Sequence, residues 1–299
     1  MSQVSQDTKK KIYETFGRNE EMVEDDVNII KTWMQTQPHL PEILDDTRIK
    51  NFLNLNKFSL EKTKQKIDMY YTIRTLVPDI FQKGKLKLEN IQKVFDDWYV
   101  FYFPMLVNDV HRVYYMKAKR PNIVEPVSIT AVLFALYEIR LHEDFMVDDI
   151  VVVDMGNHTF RDVQQMTPTY MSNCHAIYKK VYSLRLKKIV FLNCPSYISI
   201  LVALLKNVLT PKLFERVEFD PDDAGIKKVL SKGLLPKEYG GEGLSLDNLN
   251  DIMYKKLGEY QTRFDQLDEL RVDESLRPEK LNNDEILGYY GSFKKINID

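Results

Sequence analysis

The chain has few cysteines, almost no net charge and no long apolar run, and each shortage removes a class of protein. Its 299 residues include two cysteines, Cys174 and Cys194. Two isolated thiols fit a reducing compartment and supply no disulfide framework. Both read as small buried side chains. The formal net charge is −2, so there is no general attraction to nucleic acid and any basic patch must be local. The longest apolar stretch, Ile198 with Ile200 to Leu205, is far short of the roughly 20 residues that span a bilayer. The start, Met1-Ser-Gln-Val-Ser-Gln-Asp-Thr-Lys-Lys-Lys, has no apolar h-region and does not read as a secretory signal.

Catalytic and cofactor motifs are missing too. There is no Walker A sequence, and Gly240-Gly241-Glu-Gly243 follows Pro236 rather than a strand. It lacks the spacing of a dinucleotide fingerprint and reads as a turn. No G-x-S-x-G occurs. Cys174 and His175 are helix neighbours, about 100° apart, so they do not face each other. Asp220-Pro-Asp-Asp-Ala-Gly225 starts like a calcium loop, but Ala224 and Ser231 stand where two ligands belong. His142-Glu-Asp with Asp148-Asp149 reads as a solvated acidic turn without metal-ligand spacing. No cofactor, metal or enzymatic chemistry is expected.

What is present is a core-forming chain, 44% hydrophobic. Val27, Ile30 and Met34 fall on one helical face. Asp45 is an N-cap for a helix bearing Ile49, Phe52 and Leu53, and Ser59 opens a third helix that runs to about Thr75. A helical unit thus covers about 20 to 82. Tyr99-Val-Phe-Tyr-Phe and Arg112-Val-Tyr-Tyr-Met, around a turn with Asn108-Asp109, suit two strands. Ser128 to Leu141 reads as a helix with Ile129, Val132, Leu133, Leu136 and Ile139 inward. Ile150-Val-Val-Val-Asp154 and Ile189 to Leu192 are fully apolar strands, as in a parallel sheet. Between them, Thr167-Pro168 opens a helix running to about Leu184. This order predicts an α/β sheet with right-handed crossovers.

The second apolar strand leads through Asn193 and Pro195 into the greasiest segment of the chain, which stops at Thr210-Pro211. Ile198, Leu201, Leu205 and Val208 or Leu209 form one stripe. Ile200, Val202 and Leu204 widen it, while Ser199, Lys206, Asn207 and Thr210 lie mostly away. Basic residues flank the segment. Arg185, Lys187 and Lys188 precede the strand. Lys212 and Arg216 are four apart and share a face if Pro211 starts a helix. Two such groups suit a phosphorylated headgroup.

Over about Leu40 to Asp251 the chain resembles the CRAL-TRIO lipid-transfer family of retinaldehyde-binding and α-tocopherol transfer proteins. The resemblance is carried by Asp45-Asp46 with Ile49-Lys-Asn-Phe-Leu-Asn-Leu-Asn-Lys57-Phe58-Ser-Leu-Glu-Lys, by Val151-Val-Val-Asp154-Met-Gly156, by Thr167-Pro168, and by Leu184-Arg-Leu-Lys-Lys-Ile-Val-Phe-Leu-Asn193-Cys-Pro195. Leu235-Pro-Lys-Glu-Tyr239-Gly240-Gly241 closes the block. Gly291-Ser-Phe-Lys-Lys-Ile-Asn-Ile-Asp299 is similar to the tails of insect members.

The resemblance implies an α/β fold: an N-terminal three-helix unit over 1–85, a CRAL-TRIO domain over 86–255 and a tail over 256–299. A mostly parallel sheet would floor an apolar pocket, and a mobile lid helix, Ser196 to Leu209, would close it. Pocket-lining positions fall near Phe134, Val151, Val153, Ile177, Leu184, Ile189, Phe191, Ile198, Leu201, Leu205 and Leu209. Arg185, Lys187, Lys212 and Arg216 match a cleft that binds phosphoinositide headgroups in several members. Two departures stand out. Asn54 and Asn56 occupy positions where arginines are frequent, which removes a cation from that cleft. Asp149 replaces a glycine or small residue and is read as altering only a turn. The expected protein is a monomeric cytoplasmic carrier of a hydrophobic small molecule (retinoid, tocopherol, carotenoid or similar), with transient membrane contact. The alternative is a phosphoinositide-sensing scaffold that does not shuttle.

Overall fold

A computed structural model describes residues 6–76, 80–81, 83–121, 126–182 and 185–280. Five helices lead: α1 (Gln6–Thr15), α2 (Glu20–Gln35), α3 (Asp46–Leu55), α4 (Leu60–Leu76) and α5 (Leu88–Asp97). Local chemistry sets their ends. Asn19 caps α2, and Asp45 caps α3 by accepting from the Arg48 N–H at 2.9 Å. Val23, Val27, Ile30 and Met34 form the buried stripe of α2.

The sheet begins with β1 (Trp98–Tyr102) and β2 (His111–Ala118), joined through Asn108 and Asp109, both at positive φ. Then follow α6 (Pro126–Glu143), β3 (Asp148–Asp154), α7 (Phe160–Gln165), α8 (Pro168–Ile177) with a π turn (Tyr178–Tyr182), and β4 (Leu186–Leu192). After them come α9 (Ile198–Val208), α10 (Pro211–Phe214), β5 (Val217–Phe219) and α11 (Ala224–Val229). A 3₁₀ turn (Lys237–Tyr239), α12 (Leu246–Glu259), α13 (Gln261–Glu269) and a final 3₁₀ turn (Glu274–Leu276) complete the order.

The strands lie in the order β1-β2-β3-β4-β5; only β1–β2 is antiparallel. Register places Tyr114, Val151, Ile189 and Val217 in one row, and Met116, Val153, Phe191 and Phe219 in the next row on the same face. The opposite face carries Tyr115, Val152 and Val190. It is closed by α11, where a Cβ on Gly225 would fall 2.5 Å from Val190, and by α12, whose Asn250 accepts from the Val100 N–H. This is the α/β architecture that the alternation of elements implies.

Several expectations change. Beyond the three expected N-terminal helices, α1 and α5 are also present. The helix opened by Thr167-Pro168 ends at Ile177 and continues as the π turn. Leu184 and the Gly291–Asp299 segment lie outside the described residues. The acidic segment between α6 and β3 is no solvated turn: Asp144 and Asp149 are buried against Arg112 and Arg140. Asp149 is 0% exposed and sits 2.7 Å from Arg140, so its effect reaches past a turn. A second buried network, Glu138 and Glu42 with Arg263, ties α6 and the N-terminal helices to α13.

Candidate functional site

The two faces of the central strands are packed differently. On the α11/α12 side Val152 and Val190 are 0% exposed. One residue along, on the other side, Val151 and Ile189 are only half-buried. They pack against a second apolar cluster of Val153, Met155, Phe191, Leu201 and Leu205, joined by Met116, Ile198, Leu209 and Phe219, with Val151 and Met116 also touching the main core. Phe191 stacks on Phe219 with centroids 5.2 Å apart. Of the expected pocket residues, Val151, Val153, Ile189, Phe191, Ile198, Leu201, Leu205 and Leu209 thus converge under α9.

Two others do not. Phe134 stacks on Tyr182 and Phe81, and Ile177 is fully buried; both sit in the main core. Phe134 projects from α6, which packs on the aromatic end of the sheet beside Tyr114 and Tyr137 rather than under α9.

α9 is loosely held. Only Leu201 and Leu205 are buried; Val202, Leu204 and Val208 are half-buried and Ile200 is 43% exposed. Cavities of about 20, 30 and 590 Å³ lie elsewhere, and no residue of α9 or β3–β5 lines them. Side chains of α9 and of the sheet meet in this seam. Both ends of α9 are built as turns. Asn193 has φ +50° and precedes Pro195, and Thr210-Pro211 follows Leu209. Such a left-handed asparagine is tolerated where its polar side chain bonds locally; the Asn193 amide donates to Asp154 at 3.0 Å.

Asp154 is a junction that motif spacing alone did not expose as one. It is fully buried and accepts from Tyr239, Asn193, the Gly156 N–H and Lys117. Burial pushes its carboxyl up, but these donors outweigh it and hold it below the ordinary carboxylate value. Gly241 is required next to Tyr239, since a Cβ there would sit 1.9 Å from the Leu235 carbonyl oxygen. The closing Leu235–Gly241 motif therefore pins the C-terminal end of β3 beside the turn that leads into α9.

The basic residues are only partly brought together. Lys187 reaches His111 at 2.5 Å, and His111 contacts Asp148. Arg216 donates to the Leu186 carbonyl, between β4 and β5. α10 ends at Phe214, so Arg216 is not on its face and Lys212 stands apart, exposed. Arg185 turns inward, donating to the Asn54 and Met146 carbonyls at 2.9 and 3.2 Å and lying over the Phe16 ring. Burial pulls its guanidinium down to about 10. Asn54 is 1% exposed and Asn56 is buried, so neither position offers a surface slot for a cation. Cys174 is buried, and burial lifts the Cys194 thiol to about 11; neither is a poised nucleophile. Among the described residues no group of three His, Cys, Asp or Glu could hold a metal ion, and no helix is long and apolar enough to cross a membrane.

Residues 98–241 match the CRAL/TRIO domain family, and residues 19–91 match the family described as Pinta-like, UBA domain. The chain carries a CRAL/TRIO domain over residues 98–241. It is 23% identical to human alpha-tocopherol transfer protein-like over 228 residues, 74% of this chain and 66% of that one, so the match spans just under two thirds of that relative. Mouse clavesin-1 is 22% identical over 80% of this chain and 69% of its own length. Rat clavesin-2 is 21% identical over 93% and 89%. The crystal structure of Sfh5 aligns over 86% of this chain and 100% of its own, with 14% identity and a TM-score of 0.46.

Proposed function

We propose that this chain binds a hydrophobic small molecule between α9 and the β3–β5 face, and carries it between membranes. The observation that supports this most is the contrast between Val152 and Val190, fully buried, and Val151 and Ile189, half-buried on the face under α9. An apolar sheet face at the centre of a domain is normally packed shut. Here it is covered by one loosely held apolar helix. A relative named for α-tocopherol transfer points the same way.

The mechanism is burial. A ligand enters as α9 swings outward about Asn193–Pro195 and Thr210–Pro211. A ligand that hides a few hundred Å² of apolar surface gains several kcal/mol at roughly 25 cal/mol per Å². The opened stripe of α9 then rests in a membrane interface rather than in water. No bond-making step is required. The cargo is an isoprenoid-like or similar lipid of a size set by the space α9 vacates.

The test is retention and transfer of a fluorescent apolar probe. Wild type should hold the probe and pass it from donor to acceptor vesicles. Leu201→Asp places a carboxylate in the seam and should cut retention at least tenfold while the circular dichroism spectrum is kept. Unchanged retention would remove α9 from the site. Binding without transfer would favour the alternative, a phosphoinositide-sensing scaffold.

A further inference from the structure

Lys62 and Lys66 on one face of α4 lie beside two further lysines of the π turn after α8. Lys62 and Lys66 are four apart on α4 and share a face. α4 packs against Tyr178–Tyr182, which holds Lys179 and Lys180. The Lys66 ammonium donates to the backbone carbonyl of Lys179, not to a carboxylate. Among the described residues, no carboxylate lies within ion-pair distance of Lys62, Lys66 or Lys179. The neighbouring Lys64, by contrast, pairs with Glu61 at 2.8 Å. α8 contributes no acidic residue. The crowding has a price: burial, then Lys179, Lys180 and Lys62, push the Lys66 ammonium down to about 8.

Lys62 and Lys179 are exposed to solvent. α8 also packs against α9, which exposes Ile200 and keeps Lys206 outside. A cationic surface one helix away from the exposed Ile200 has the composition of a surface that lies on a bilayer. A long polyanion such as nucleic acid is disfavoured by the net charge of −2.

We propose that Lys62, Lys66 and Lys179, with the added charge of Lys180, form a docking patch for the phosphate-bearing surface of an anionic membrane. It is distinct in place from Arg185, Lys187, Lys212 and Arg216, which stand on or beside β4, α10 and β5. The patch acts whether or not α9 encloses a ligand.

The test is cosedimentation of the full chain with phosphatidylcholine vesicles, with and without phosphatidylserine, over a range of salt. Lys62→Glu with Lys179→Glu alters two exposed side chains, and circular dichroism checks the fold. Association with phosphatidylserine vesicles should fall roughly fivefold or more per lysine, the equivalent of about 1 kcal/mol each, and its salt dependence should flatten. Lys62→Arg with Lys179→Arg should keep wild-type association, and apolar-probe retention should be unchanged in both. Undiminished association of the Glu variant would overturn the proposal. So would loss of oligonucleotide binding in that variant with vesicle binding intact, which would assign the patch to nucleic acid.

Discussion

The Tyr239 hydroxyl donates to the carboxylate of Asp154, 85 residues earlier, and lies 2.6 Å from the Tyr115 hydroxyl. This bond fastens the closing motif to the end of β3. Tyr239→Phe leaves a buried carboxylate short of a donor and should cost about 1–3 kcal/mol in urea unfolding. The pH dependence should change as well. Asp154 is held below its ordinary 3.8, so its contribution is present above that unfolded value and is lost as pH falls through the folded one. Tyr239→Phe should shrink this acid loss; an unchanged acid limb would show that the Tyr239 bond does not matter to Asp154.

Asp149, at the opposite end of β3, should behave with the other sign. Burial lifts its carboxyl to about 6 against the opposing pull of Arg140. A raised folded value means that its contribution is full below 3.8 and is lost as pH rises through about 6. Two units correspond to about 3 kcal/mol. Asp149→Asn should therefore flatten the difference in stability between pH 4 and pH 7 relative to wild type. Parallel profiles for the two proteins would contradict this assignment.

Asn54→Arg restores the residue type that the family resemblance leads one to expect, and it should not strengthen headgroup binding. Asn54 is buried, donates to the Met146 carbonyl at 2.8 Å and receives Arg185. A second guanidinium there would be an unpaired buried cation beside another, which costs several kcal/mol. A lower melting temperature without tighter vesicle association is the expected result.

Lys212 and Arg216 should separate when mutated singly. Lys212 is exposed, so Lys212→Ala should weaken association with anionic vesicles by roughly fivefold and leave stability unchanged. Arg216 closes the β4–β5 edge at Leu186, so Arg216→Ala should also lower the melting temperature, by an amount equivalent to about 1–3 kcal/mol. Equal effects on binding and none on stability would instead make the two a single cleft.

Much of the fold was legible because its signals are local. Asp45 as a cap, Thr167-Pro168 as a helix start and the unbroken apolar runs at Ile150–Val153 and Ile189–Leu192 need only their neighbours in sequence. Strand parity also placed Val151, Val153, Ile189 and Phe191 on one face. The buried charges were not legible. Asp144 and Asp149 look like a solvated turn until Arg112, 32 residues upstream of Asp144, reaches it. Phe134 and Ile177 were apolar and correctly inward, but periodicity does not say which of two cores a side chain joins. Lys212 and Arg216 looked paired because a helix of unknown length began at Pro211; it lasts one turn.

The central claim is that the face under α9 holds an apolar molecule. The most direct measurement is native mass spectrometry of the protein from its own tissue, followed by organic extraction and identification of what is bound. One isoprenoid or other lipid at near one per chain, absent from Leu201→Asp expressed alongside, is the predicted result. A wild-type chain that carries no apolar molecule and takes up none from vesicles would contradict it.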